Sequence, residues 1–566
     1  MKAIKYILFI LIITLGVSSC DFLDKEPTEI DPKNYFNTDQ EVEMFLIGIY
    51  SPLMQEYFYG NNYAYSIAGG DDLSFYQRKS PLTGGSILCA NANSGTTDIS
   101  NYWRVLYDGI NRANILLENI DKEGISEATR VKAKAEAIFM RAFYYFNLIQ
   151  GWGDVPLRLK SYTAQDNPMM PKTDKQVIYD RVIEDIKMVL PDLPDYKDIV
   201  NSSYLSKAAA QGILARIYLF RAGEHYRDGK ADDPKKTEYL KAARDWAYEI
   251  IKTNDHDLVT DYSRVFLDYS EDLYNSTKVK ESIWEVAMAG NRSSAEQAAG
   301  RIGNTIGFGA KTDYSGDEEI KGLTGMNNPG YSYRFIYASL KLYEMYEAEG
   351  DVERSTWNIA PFEYLEDAKT KHVIGREYYG GKKPVELTEV DGMPCTELAL
   401  NHNKSKNKTR CAAKYRREYE VVKPKHKNYT PINFPILRYS DVLLMYAEAE
   451  NELNGPENAI MYVQKVRDRA KLTRDISGLG QSDLRETIKN ERAMELCFEG
   501  IRRWDLIRWG EFYTKMREMT NYVKKDGWDK NHDYAEEYYK VTPSYVYFPI
   551  PDTERSKNPI AQNKGW

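Results

Sequence analysis

The chain is poor in the features that usually announce an activity. It carries only 5 cysteines in 566 residues, namely Cys20, Cys89, Cys395, Cys411 and Cys497, with no C-x-x-C and no zinc spacing, so a sequence-local metal finger is excluded. It has no excess of positive charge: the net charge is -8 and the pI is near 5.6, which argues against a nucleic-acid partner, since binding phosphates needs a basic surface. The lysines from Lys404 to Lys408 read as a solvated loop. There is no H-E-x-x-H and no G-x-S-x-G, and the glycines from Gly300 to Gly309 lack the strand-then-helix setting of a nucleotide loop. No Pro/Ser/Gly linker is long enough to separate folding units, and past residue 17 no apolar run approaches the roughly 20 residues a membrane-spanning helix needs.

One short apolar run is present, at the start. Met1 to Lys5 is basic, Tyr6 to Val17 is apolar, and Val17-Ser18-Ser19 places small residues before Cys20. This order predicts a secretory signal over residues 1–19 whose cleavage leaves Cys20 as a lipidated N-terminus. Each buried methylene contributes about 0.8 kcal/mol, so two or more acyl chains on Cys20 hold the protein stably. Residues 20–37, with Pro27 and Pro32, read as a tether. The alternative is an ordinary signal peptide with a chance cysteine. A mean hydropathy of -0.59 and 28% charged residues describe a body that sits in water.

The rest is dominated by helical spacing. Thr38-Asp39-Gln40-Glu41 is a capping box, followed by Val42, Phe45, Leu46 and Ile49. Trp103, Leu106, Ile110, Ala113, Leu116 and Leu117 form one stripe, and Val131, Ala135, Ile138, Phe139, Ala142, Phe143 and Phe146 the next, ended by Gly151 to Pro156. Thr173 to Gln176 reads as a second capping box, before a helix that Pro191 closes. From Leu205 to Phe220 the small Ala208, Ala209, Gly212 and Ala215 predict close helix approach. Ser440 to Asn454 is a helix closed by Gly455-Pro456, and Leu484 to Phe498 another. Helical pairs of this kind predict a mainly α, tetratricopeptide-like scaffold in one domain over residues 38–566.

Two stretches break the pattern, near residues 56–101 and 291–433. Long irregular segments are uncommon in a compact domain unless they perform a task, so the binding surface is expected in this loop-rich part. Cys395 and Cys411 are candidates for a disulfide in an oxidising compartment, with buried or free thiols the alternative.

Several stretches together resemble the SusD/RagB family of outer-membrane nutrient-binding lipoproteins. They are Cys20-Asp-Phe-Leu-Asp-Lys-Glu-Pro27, Tyr102-Trp-Arg-Val-Leu-Tyr-Asp-Gly-Ile-Asn-Arg-Ala-Asn114, and Ala137-Ile-Phe-Met-Arg-Ala-Phe-Tyr-Tyr-Phe146 with Gly153-Asp-Val-Pro156. Later come Ile436 to Ala449, Glu491 to Asp505, and a terminal Pro549-Ile-Pro551 with Asn558-Pro559 and Gln562-Asn563. The resemblance implies a SusD-like α-helical fold, lipid-anchored and outward-facing in the cell outer membrane. It implies binding of a carbohydrate ligand and its delivery, without cleavage, to a SusC-like TonB-dependent barrel. Asp21 is an inner-membrane retention signal in enteric bacteria, so the outward location rests on the resemblance. The shared motifs read as scaffold: Trp103, Phe143, Tyr145 and Trp504 as core aromatics, and Arg141, Arg438, Arg502 and Arg503, near Asp441, Glu448, Glu499 and Asp505, as buried ion pairs and helix-end contacts.

A sugar offers a weakly apolar face and a rim of hydroxyls, which flat aromatics beside planar polar groups satisfy. The chain has 45 tyrosines. Tyr57, Tyr59, Tyr63, Tyr65 and Tyr76 fall in the first irregular stretch; Tyr314, Tyr331, Tyr333 and Trp357 fall in the second. Asp72, Tyr76 and Arg78 are expected to share a ligand rim with Tyr314 and Tyr331, the competing reading being that loop tyrosines merely cover the scaffold. No catalytic residue, metal or cofactor is assigned, although calcium beside Asp71, Asp72, Asp313 and Asp317 is an open alternative. Two other readings remain. A glycoside hydrolase needs two carboxylates about 5 to 9.5 Å apart, which 84 acidic residues leave room for. An adhesin-like protein would use the helical surface to hold other proteins and show no saccharide affinity.

Overall fold

The computed structural model describes residues 35–163, 166–223, 235–290, 300–311, 329–366, 373–379, 408–423 and 425–566. Cys20, Asp313, Tyr314, Asp317 and Cys395 lie outside the described residues.

Helix α1 (Asp39–Met54) begins where the capping box predicts. The Glu41 N–H donates to Thr38 Oγ1 at 3.2 Å, and the Glu41 carboxylate accepts from the Asn37 N–H at 2.6 Å, one residue earlier than the usual partner. It leads into the long helices α2 (Thr97–Asn119) and α3 (Glu127–Trp152), then α4 (Lys175–Val189), each packed on its predecessor. The cap of α4 is Asp174 rather than Thr173, because its Oδ1 accepts the Gln176 N–H at 2.7 Å. Next come α5 (Lys207–Ala222) and α6 (Lys236–Ile251), which pack as a pair.

The small residues of α5 serve a strand as well as a helix. A Cβ on Gly212 would stand 2.2 Å from Leu437 Cδ2 and 3.4 Å from Ile250 Cδ1, so glycine leaves room there for the Leu437 side chain.

The second half opens with α7 (Tyr262–Glu271) and supplies most of the strands among the described residues. Strand β1 (Ser74–Tyr76) pairs antiparallel with β3 (Ile336–Ala338), and β2 (Ser282–Val286) with β6 (Phe434–Arg438). A third pair joins β4 (Phe362–Glu366) to β5 (Val373–Tyr378). Between them lie the short α8 (Ile302–Thr305), then α9 (Leu340–Glu349) and α10 (Val352–Asn358). The chain continues through α11 (Tyr439–Asn454), α12 (Ile460–Arg469), α13 (Gln481–Leu496), α14 (Arg502–Arg508), α15 (Phe512–Tyr522) and the short α16 (Asp552–Arg555). Helix α11 packs on both α6 and α13, so the fold is mainly α, a scaffold of packed helices with small two-stranded sheets at its irregular side.

One hydrophobic core runs from Phe36 to Ile560 and contains Trp103, Phe143, Tyr145 and Trp504. The terminal motif closes it: Trp152 Nε1 donates to the Pro549 carbonyl at 2.9 Å and the Asn563 amide to the Trp152 carbonyl at 2.9 Å. These terminal residues therefore hold the end of α3. Among the described residues no helix is long and apolar enough to cross a membrane.

Candidate functional site

The two irregular stretches dock on each other, and their order comes from hydrogen bonds that replace regular structure. The Arg301 N–H reaches the Gly60 carbonyl at 2.7 Å, and Thr305 Oγ1 donates to Asn61 Oδ1 at 2.8 Å. A ribbon from Tyr331 to Phe335 lies beside α8, its Tyr333 and Phe335 N–H groups donating to the Asn304 and Thr305 carbonyls at 2.7 and 2.8 Å. Buried peptide groups need such partners.

Along that ribbon burial alternates. Ser332 and Arg334 are buried, whereas Tyr331, Tyr333 and Phe335 are half-buried. An extended chain places residues i and i+2 on one face about 6.5 to 7 Å apart. Here the Tyr333 and Phe335 ring centroids stand 5.1 Å apart at 6°, because Arg334 between them takes the left-handed conformation, φ 51°, and tightens the ribbon. Tyr331 meets Tyr333 edge to face at 4.9 Å and 83°. The result is a continuous strip of three partly exposed rings.

Both ends of the strip carry a cation. The Arg78 guanidinium lies 4.6 Å from the Phe335 centroid and 5.5 Å from that of Tyr333. Its backbone is fixed: the Gln77 N–H donates to the Phe335 carbonyl at 2.9 Å, and Tyr538 Oη donates to the Arg78 carbonyl at 2.7 Å. At the other end Lys427 Nζ lies 5.2 Å from the Tyr331 centroid. The buried Arg417 clasps this end, its Nη1 donating to the Tyr331 and Lys427 carbonyls at 2.5 and 2.9 Å.

The structure thus brings together part of the predicted rim and breaks up the rest. Arg78 and Tyr331 belong to the strip, whereas Tyr76 is only 3% exposed and backs it, its ring 5.6 Å from Phe335. Burial pushes the Tyr76 hydroxyl pKa up, against the nearby Arg78 charge.

Asp72 is not on the rim. It is fully buried, with Arg502 gripping its two oxygens at 2.7 and 2.9 Å and Lys341 Nζ donating at 2.5 Å. Burial alone would raise its carboxyl pKa, but these two cations more than reverse that and hold it well below the usual range. Its oxygens are therefore committed to cations, and calcium has no free Asp72 carboxylate to use. Asp71 beside it accepts from the Leu73 N–H at 3.0 Å and Ser74 Oγ at 2.9 Å, and burial with the Asp72 charge pushes its carboxyl up to about 6. Tyr314, the fifth predicted contact, lies outside the described residues.

Other candidates prove to be scaffold. Tyr59 stacks on Phe434 at 5.3 Å, Tyr63 Oη accepts from Trp504 Nε1 at 3.1 Å, and Trp357 Nε1 donates to the Lys414 carbonyl at 3.2 Å. The thiol of Cys411 is buried and directed at the Ala412 carbonyl, 3.0 Å away. Among the described residues no group of three or more His, Cys, Asp or Glu is arranged to hold a metal ion. Sequence reasoning passed over Phe335 and Lys427. The signal for Phe335 was present in Tyr331-Ser-Tyr-Arg-Phe-Ile-Tyr337, an aromatic at every second position.

Most of the predicted ion pairs are present, with some partners exchanged, whereas Arg503 donates to the Gly70 and Tyr545 carbonyls. Arg438 meets Glu281, Glu495 and Glu499 at 2.9, 3.1 and 2.8 Å. Arg141 bonds Asp185 at 3.2 Å and Arg502 goes to Asp72, while Asp441 and Asp505 pair with Arg492 and Glu448 with Arg508.

Comparison with known proteins gives two family matches in sequence order. Residues 21–219 match a family described as starch-binding and associating with the outer membrane, and residues 280–566 match the SusD family. The SusD-like protein P25 of Formosa agariphila is 27% identical over the whole of both chains. A crystal structure of a SusD homologue from Bacteroides thetaiotaomicron superposes with a TM-score of 0.76 at 23% identity, covering 96% of this chain and all of the other. A laminarin-binding SusD-like protein gives a TM-score of 0.63 at 20% identity, over 94% of this chain and all of its own.

Proposed function

The chain belongs to the SusD family, and we propose that it is an outer-membrane lipoprotein, anchored outward through Cys20, that captures a glycan on the Tyr331–Tyr333–Phe335 strip. It passes this cargo to a SusC-like TonB-dependent barrel without cleaving it. The observation that carries the reading is the strip itself: three rings held in line by main-chain hydrogen bonds, with a planar guanidinium on one end. The related protein that binds laminarin and the matched starch-binding family support a saccharide as ligand.

Magnitudes suit delivery. Covering about 50 Å² of sugar face contributes on the order of 1 kcal/mol, so three rings plus net hydrogen bonding give roughly millimolar to tens of micromolar affinity. A protein that must release its cargo gains nothing from tighter capture. A glycosidase would need two ionisable carboxylates across the sugar, and Asp72, the acid that sequence reasoning put at the rim, is locked to Arg502 and Lys341.

Isothermal titration with a panel of oligosaccharides tests the strip: a bound sugar should lose most of its affinity with Tyr331→Ala, and unchanged binding would overturn the site. Reducing-end release from the same panel tests the absence of cleavage. Palmitate labelling lost in Cys20→Ala, together with copurification of a large barrel protein, tests the anchor and the partner.

A further inference from the structure

Several buried arginines of this protein are bonded to carboxylates, a setting different from that of Arg78. Arg438, Arg492, Arg502 and Arg508 each meet at least one carboxylate. Arg78 is exposed, and no salt bridge or guanidinium hydrogen bond to another described residue engages it. Yet it is not loose: its carbonyl is tied to Tyr538 and its head rests on Phe335 and Tyr333. A stacked guanidinium keeps its five N–H donors in a fixed plane and gives up little further freedom on pairing. Its natural complement is a planar or tetrahedral oxyanion taken by two parallel hydrogen bonds. The second cation, Lys427, stands over Tyr331 at the far end of the same strip.

We propose that the strip selects an acidic glycan, whose sugar faces lie on Tyr331, Tyr333 and Phe335 while a ring carboxylate or sulfate pairs with Arg78. Lys427 marks the other end of the strip, beside Tyr331. The inference rests on the strip being the glycan site, and it adds the chemical class of the cargo. Carboxylate and sulfate share the oxyanion chemistry, so the test separates them.

The full chain is titrated with two matched pairs: oligogalacturonate against its carboxyl-reduced form, and a sulfated galactan oligosaccharide against its desulfated form. At least one charged member should bind about tenfold more tightly than its neutral partner, as a charge-assisted bidentate contact predicts, and this preference should fade as salt rises. Arg78→Gln should abolish the preference, so that within that variant the charged member binds no better than its neutral partner, and Arg78→Lys should restore only part of it. The pair that shows the preference identifies the oxyanion. Equal binding of charged and neutral members, or no binding of either charged polymer, overturns the inference. If Tyr333→Ala weakens binding while Arg78→Gln does nothing, the acidic class falls and the site stands. If Tyr333→Ala leaves a bound sugar unaffected, the site itself falls.

Discussion

Two arginines show how differently the halves of this molecule use charge. Arg438, at the start of α11, is fully buried and surrounded by Glu281, Glu495 and Glu499. Arg78, two residues past β1, is exposed on a ribbon of rings, and among the described residues no carboxylate is bonded to it. The first exists because helices that carry charges into a core must cancel them. The second faces outward, its guanidinium resting on Phe335 and Tyr333. The buried charge network and the strip proposed to bind glycan therefore occupy separate regions, and substitutions should affect one without the other.

The largest effect is expected from Glu495→Ala. Glu495 meets Arg354, Arg438 and Arg469 at 3.3, 3.1 and 2.5 Å. Burial would raise its carboxyl pKa, but the surrounding cations hold it far below the ordinary range. Removing it leaves buried guanidinium groups short of one counter-charge, at a cost of about 3 to 5 kcal/mol. Urea denaturation should show that loss, while the folded fraction keeps its glycan affinity within about twofold. A matching loss of affinity would mean the two regions are not separate.

Asp72→Asn sharpens the contrast, because the residue lies only a few positions from Arg78 in sequence and on the other side of the division. It should cost about 2 to 4 kcal/mol at pH 7 by leaving Arg502 and Lys341 without their anion, with no change in sugar binding. Its folded pKa is depressed, so its contribution is complete above the unfolded value near 3.9 and disappears as pH falls below that. The gap between wild type and variant should therefore narrow below about pH 4.

Asp71 should act in the opposite direction. Its folded pKa, about 6, lies above the unfolded value near 3.9. Between those limits the folded state holds a proton that the unfolded state has released, so stability falls as pH rises. Asp71→Asn removes that penalty. At pH 8 the variant should be more stable than wild type by on the order of 2 kcal/mol, and at pH 4 the advantage should vanish. Chemical denaturation at the two pH values checks the sign.

The same division explains what the sequence made legible. Helices α1 to α5 declare themselves through apolar residues at helical spacing and through caps such as Thr38, whose side-chain oxygen accepts an N–H bond at 3.2 Å. Gly455, at φ 87°, ends α11 as its position before Pro456 suggests. The strip was legible in composition only in part: Arg78 and Tyr331, both expected at one rim, do fall on the same strip of rings, because arginine and tyrosine in an aperiodic stretch have few scaffold duties. Asp72 misled because its partner Arg502 lies 430 residues away, and no local pattern reveals so distant an ion pair. Phe335 was missed because a seven-residue alternation is too short to stand out, and the left-handed Arg334 between its ring and Tyr333 is a position where no glycine marks the turn.

Tyr333→Ala is the smallest change in free energy and the most direct test of the strip. Tyr333 is the middle ring, edge to face with Tyr331 and stacked on Phe335, so its removal breaks the line that a sugar would cover. One lost ring contact corresponds to about 1 kcal/mol, and the gap it leaves also frees Phe335 and Arg78 from their common neighbour. A loss of roughly tenfold in affinity is expected, equivalent to about 1.4 kcal/mol. Because the ring is half-buried and its N–H bond to Asn304 belongs to the backbone, the ribbon should persist and stability should fall by no more than about 1 kcal/mol. A loss of several kcal/mol in stability with affinity intact would make Tyr333 part of the scaffold, like Tyr59 and Tyr63, and move the glycan site elsewhere.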